Sequence, residues 1–283
     1  MDVTLTDEQQ MMVDSAREFL QASCPLATVR EWEKLPEGYP AQIWARMAEL
    51  GWLGAVYPEA YGGMGLPNLD MTLLMREMGR VALPSPFLAT VLLAGRAVLE
   101  GGTDAQKNDL LPRIAAGELL LSFAFVEASA RPDAATVRTR ARAEDGGYVL
   151  NGTKHFVAFA GQADRMLVVA RTRESDDPEQ GLTMFLLDAH APGIEYVSLG
   201  TLAQQPEAKV MLQDVRVAAG DVVGRVDHAW EVLDPVLQAA TAIGFSRIYV
   251  LVRHALPNTL HLMFINFSLL FIAAIKNEVV LSF

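Results

Sequence analysis

Through about residue 118, apolar positions recur every three to four residues; after that they alternate. Met12, Ala16, Phe19 and Leu20 fall on one helical face. Thr6, with Gln9 three residues on, has the capping-box spacing that would open that helix. A second helix is expected from about Pro40, burying Ile43, Trp44, Met47 and Leu50, with Gly51 at its C-terminal cap. A third carries Met71, Leu74, Met75, Met78 and Val81 on one face until Pro84 and Pro86 stop it. A fourth covers about Phe87–Glu100. A short fifth opens at a second capping box, Thr103 and Gln106, and closes at Gly117. Between the second and third lies a Gly-rich loop, Tyr57–Gly65, whose glycines read as turn positions needing positive φ.

The alternating part predicts strands at Leu119–Val126, Val137–Ala143, Tyr148–Leu150, Lys154–Phe159, Met166–Arg171, Leu182–Asp188, Ile194–Leu199 and Ala208–Val217. Asn151-Gly152 lies between two of them and signals a two-residue hairpin. Short strands with no helices between them imply an antiparallel barrel or sandwich rather than a βαβ fold. The acidic, proline-containing stretch Arg173–Gln180 reads as a surface turn, and from Asp227 the pattern is helical again. The expected class is therefore α+β and multidomain: an all-α N-terminal domain at 1–118, an antiparallel β-barrel or sandwich middle domain at 119–226, and a truncated helical tail at 227–283.

Composition narrows the function classes. The 283 residues are 51% hydrophobic and 20% charged, with a net charge of −11. That much apolar surface excludes a disordered chain, and the negative field argues against a nucleic-acid partner. One cysteine, Cys24, leaves no intramolecular disulfide and points to a reducing, cytoplasmic setting. The N-terminus has neither the basic region nor the apolar core of a secretory signal. The five histidines are dispersed, so no zinc site is expected. No Gly-x-Ser-x-Gly elbow, phosphate loop or Rossmann fingerprint occurs.

Several phrases, in order, resemble the acyl-CoA dehydrogenase family of flavoproteins. They are Leu50-Gly51-Trp52-Leu53-Gly54 followed by Pro58–Leu66, then Gly102–Lys107 with Leu111–Glu118, then Gly147–Lys154, and finally Leu212–Val217 with Val223-Gly224. The resemblance spans about residues 5–241. It implies a helical N-terminal domain, a β domain and a C-terminal four-helix bundle. It also implies chemistry: a carboxylate removes the α-proton of an acyl-CoA thioester, and the β-hydrogen leaves as hydride to the flavin, giving a 2-enoyl-CoA. The thioester oxygen must receive hydrogen bonds as enolate charge develops, and the base must be close and desolvated. FAD carries the redox step. Implied partners are the acyl-CoA substrate, an electron-transfer acceptor protein, and other subunits in a homo- or hetero-oligomer.

In that family two segments meet the flavin. Here they read Phe123–Asp133 and Phe156-Val157-Ala158. The resemblance makes Phe123, Phe125, Val126, Pro132, Phe156, Val157 and Ala158 the candidate cofactor contacts. Glu127, Asp133 and the aromatic Phe156 match the family pattern. Val126 and Ala158 stand where hydroxyl residues are usual. Pro132 replaces a serine and has no N–H to donate.

The tail departs from the family. Ala242–Phe283 holds three basic residues and one acidic one, so the net negative charge lies before it. Ile248–Pro257 and Leu260–Ile275 match nothing expected there, as a frameshift, an insertion or an assembly junction would leave. Leu260–Ile275 is an uncharged run of 16 residues, short of the ~20 a bilayer span needs, which argues against a membrane anchor. The only carboxylate after Asp234 is Glu278, so no catalytic base is assigned in this chain. The alternative to an enzyme is a non-catalytic subunit of a hetero-oligomeric relative.

Overall fold

A computed structural model describes residues 5–129, 133–201 and 204–242, which pack as one compact unit. The expectations for Pro132 and for the tail beyond residue 242 lie outside the described residues.

Both capping boxes form. Thr6 and Gln9 exchange side-chain-to-backbone bonds at the start of α1 (Asp7–Ser23), as Thr103 and Gln106 do before α6 (Asp104–Ala115). Between them run α2 (Leu26–Trp32), α3 (Ala41–Glu49), α4 (Asn68–Arg80) and α5 (Arg96–Gly101). Periodicity did not separate out α2, a short helix behind Pro25. The expected fourth helix is wound in two ways, as a π-helical segment over Leu88–Gly95 that continues into α5. Leu50 is half-buried rather than core. In the Tyr57–Gly65 loop, Gly62 and Gly65 take positive φ. Gly63 answers a different constraint, since a Cβ there would fall on the Tyr57 carbonyl oxygen. On the outer side, α1 meets α4 at Glu77, whose buried carboxylate takes guanidinium bonds from Arg17, Arg76 and Arg80 at 3.1–3.2 Å.

The sheet region comprises β1 (Leu121–Ala124), β2 (Arg140–Glu144), β3 (Gly147–Ala158), β4 (Arg165–Arg171), β5 (Leu182–Asp188), β6 (Ile194–Leu199), β7 (Glu207–Ala218) and β8 (Val222–Val223). The order is β6-β7-β3-β2-β4-β5-β8, with β1 pairing β4. Most neighbours are antiparallel as expected. The exceptions are β1, which lies parallel to β4, and a single parallel β2–β4 pairing.

The hairpin expected at Asn151-Gly152 does not form there. These residues sit inside β3, at a register shift between Leu150 and Gly152. The turn is at Asp145-Gly146, both with positive φ, between β2 and β3. Asn151 spends its side chain across the sheet instead. Its Nδ2 donates to Asp214 Oδ1 at 2.9 Å, and its Oδ1 accepts from the Asp214 amide at 3.0 Å. Gly152 is needed because a Cβ would collide with Thr139. The Asn-Gly pair thus serves a bulge.

Two cores flank β1. Leu121 and Phe125 join the helical side with Tyr57, Phe87, Val91 and Leu167, whereas Ala124 joins the sheet interior with Leu150, Val157, Phe185 and Val210. Thr90, in the π-helical segment, locks the junction. Its hydroxyl donates to the Leu121 carbonyl at 2.8 Å and accepts from the Leu121 amide at 3.3 Å. After β8 the chain reaches α7 (Trp230–Ala242), which buries Leu233 and Val236 in the helical core.

Replacing Thr90 by Val keeps the shape but strands two buried main-chain groups of Leu121. The expected cost is ~1–3 kcal/mol, read as a lower urea midpoint with an unchanged m-value.

Candidate functional site

Period-2 alternation sets the first half of the site. Leu121, Phe123 and Phe125 face the helices, while Ser122 and Ala124 face the sheet core. The Phe123 and Phe125 ring centroids are 6.3 Å apart, and Phe125 lies 6.2 Å from the Trp230 ring at the start of α7.

The second half is a bulge at the end of β3. Lys154 pairs with Val210 and Val157 with Ala208, so His155 and Phe156 together face the single residue Lys209. Phe156 has φ 54°, in the left-handed region that a bulky side chain rarely adopts. That backbone turns its ring outward, leaving it 59% exposed. The His155 amide, freed from the ladder, donates to the Val126 carbonyl at 2.8 Å. The two sequence-predicted segments therefore touch through main chain.

A buried ion pair lies beneath this junction. Lys154 Nζ donates to Glu127 Oε1 at 2.6 Å and to the Phe125 carbonyl at 3.3 Å. Glu127 also accepts from the amides of Arg138 (2.8 Å) and Thr139 (3.0 Å). Burial alone would raise the Glu127 pKa. The Lys154 charge, its hydrogen bond and the Thr139 amide outweigh that and hold the carboxyl below its ordinary value. Burial pushes the Lys154 ammonium down to about 8, against the pull of Glu127. Beside the pair opens a hollow of about 410 Å³, lined by Ser129, Thr136, Arg138, Thr153 and His155 among others.

Of the six described candidates, Phe156 is the most exposed, and Phe123, Val126 and Ala158 are half-buried. The side chains of Phe125 and Val157 are core, so a ligand would reach those two residues through their main chain. Pro132 lies outside the described residues. Sequence reasoning missed Lys154 as a functional residue, although it was quoted within a family-like phrase. The available signal was a lysine in a strand that must cross a sheet interior, with a carboxylate in the neighbouring segment.

Comparison with known proteins bears on this arrangement. The family model for the acyl-CoA dehydrogenase N-terminal domain matches residues 6–118, and that for the acyl-CoA dehydrogenase middle domain matches residues 122–215. Over these residues the chain belongs to the acyl-CoA dehydrogenase family. It is 33% identical over 220 residues to acyl-CoA dehydrogenase FadE12 of Mycobacterium tuberculosis, which covers 74% of this chain and 56% of that protein. It resembles the structure of the glutaryl-coenzyme A dehydrogenase–glutaryl-CoA complex with a TM-score of 0.78 and 26% identity, covering 86% of this chain and 63% of that one. It also resembles the ChsE4–ChsE5 complex of Mycobacterium tuberculosis (TM-score 0.74, 27% identity, 84% of this chain and 61% of that one). The chain thus spans a little over half the length of the first of these relatives. Among the described residues, no helix is long and apolar enough to cross a membrane.

The depressed Glu127 pKa has a definite sign in stability. The unfolded carboxyl, near 4.5, binds a proton more readily than the folded one, so its contribution is complete above about pH 4.5 and is lost as pH falls. The Tm of Glu127→Gln should therefore decline less steeply than that of the parent chain between about pH 5 and pH 3. Thermal melts across that range check it.

Proposed function

We propose that this chain carries the N-terminal and flavin-contacting parts of an FAD-dependent acyl-CoA dehydrogenase, an oxidoreductase that converts an acyl-CoA thioester to a 2-enoyl-CoA. In this reading the segments divide as 1–118, 119–226 and 227–283. The protein works in the cytoplasm, assembles with further subunits and passes electrons to an acceptor protein. The supporting observation is the bulge that carries Phe156 outward while its neighbour His155 is bonded to Val126.

The residues present fit a planar ring system. Phe156 offers an exposed aromatic face on a fixed backbone, and stacking of this kind favours offset or edge contacts between rings. Val126 and Ala158 would border the ring, with Phe123 beside Phe125 and Trp230 as apolar backing. A bound flavin supplies the two-electron acceptor that no side chain here can provide. The protein's own part is to orient that ring and to keep water from one side of it.

Two restored hydroxyls test the cofactor reading. Each hydrogen bond contributes ~0.5–1.5 kcal/mol, so Val126→Thr with Ala158→Thr should bind FAD about tenfold or more tighter than the parent chain. Retained visible absorbance and equilibrium dialysis would read the change. No gain in the double variant overturns the assignment of these two positions.

A second reading is a non-catalytic subunit of a hetero-oligomeric relative. It draws support from the hydroxyl-free Val126 and Ala158, and from the likeness to a structure that is itself a two-component complex. Both readings share one expectation, because Glu278 is the only carboxylate after Asp234. The purified chain should not reduce an artificial acceptor with straight-chain, branched or steroid-type thioesters. Turnover by the chain alone would refute the inactive-chain expectation. Recovery of a partner subunit that confers activity would favour the second reading.

A further inference from the structure

We propose that the buried Lys154–Glu127 pair is a positioning device that holds the outward bulge at His155–Phe156 against the end of β1, and thereby sets the spacing between Phe156 and Val126. The inference rests on the reading above for the identity of the ligand. The device itself rests on hydrogen bonds alone.

The geometry argues for more than stability. A buried ion pair is often no better for folding than a well-packed apolar pair of equal volume. Here, however, the pair also serves main-chain groups of two separate segments. Lys154 Nζ takes the Phe125 carbonyl, and Glu127 takes the amides of Arg138 and Thr139. An apolar replacement would fill the space and leave those groups without these partners, the Phe125 carbonyl and the Thr139 amide among them buried. The need for such an anchor arises at the same place. The register shift between Lys154 and Val157 takes His155 and Phe156 out of the β3–β7 pairing. Phe156 is further held at φ 54°, a conformation that persists only where the surroundings over-determine it. The cross-bond from the His155 amide to the Val126 carbonyl closes the loop of contacts next to the ammonium. Lys154 and Glu127 reach any ligand only through these segments, so they are positioning residues.

The test uses the full chain and Lys154→Met, with hydrogen exchange and FAD binding measured side by side. Amides of residues 125–127 and 155–157 should exchange at least tenfold faster in the variant, while those of β4 and β5 change less than twofold. FAD affinity should fall at least tenfold, and the visible band of any bound flavin should shift. A uniform rise in exchange across all strands would mark the pair as stabilising only and overturn the proposal. Unchanged FAD affinity and spectrum despite local loosening would overturn it too. If the parent chain takes up no FAD, the cofactor reading fails, and the exchange comparison alone decides whether the pair holds the two segments together. Should Lys154→Met not fold, Glu127→Gln carries the same measurements, because it keeps an oxygen for the amides while removing the charge that faces Lys154.

Discussion

The structure depends on β1 serving two cores at once. Its odd-numbered residues, with Phe125 just beyond its end, pack against the helices, and its even-numbered residues close the sheet interior. A strand buried on both faces has to find every main-chain partner within the protein, and this one finds them on both sides. β4 lies parallel to it, and Thr90 reaches the Leu121 amide and carbonyl from the π-helical segment. Helical region and sheet are thereby one unit, although their hydrophobic periods differ.

The site grows from the end of that strand. Where β1 stops, the chain can no longer satisfy itself through ladder bonds, and β3 loses its register at the same level. Charge replaces sheet pairing there. Taking an ammonium and a carboxylate out of water is costly, and it is offset here by their mutual attraction and by three main-chain partners. The outcome is an exposed aromatic, Phe156, on a backbone held in the left-handed region. The acyl-CoA dehydrogenase N-terminal and middle domain models match in this same chain order, residues 6–118 and then 122–215. The frame at the junction is held by main-chain bonds, such as the His155 amide to the Val126 carbonyl.

Sequence by itself determined the local elements. The capping boxes at Thr6–Gln9 and Thr103–Gln106, the apolar stripes of α1, α3 and α4, and most strands were legible because helix starts and hydrophobic faces depend on residues only three or four apart. Ordered phrases such as Gly147–Lys154 also resembled the acyl-CoA dehydrogenase family, and the family models over residues 6–118 and 122–215 bear that resemblance out. Tertiary structure decided what those rules cannot reach. Asn151-Gly152 carries a hairpin signal, yet Asp145-Gly146 makes the turn, because Asp214 and Thr139 from distant segments take up the Asn-Gly pair. The parallel alignment of β1 with β4 pairs residues far apart in the chain, such as Leu121 with Arg165, which no three-to-four-residue rule reaches. In the sequence, Lys154 is a lysine in a predicted strand with a carboxylate, Glu127, in another segment, and nothing local pairs the two. Only the fold brings Glu127, 27 residues away, within 2.6 Å of it, and a buried charge takes its meaning from the partner that long-range packing supplies.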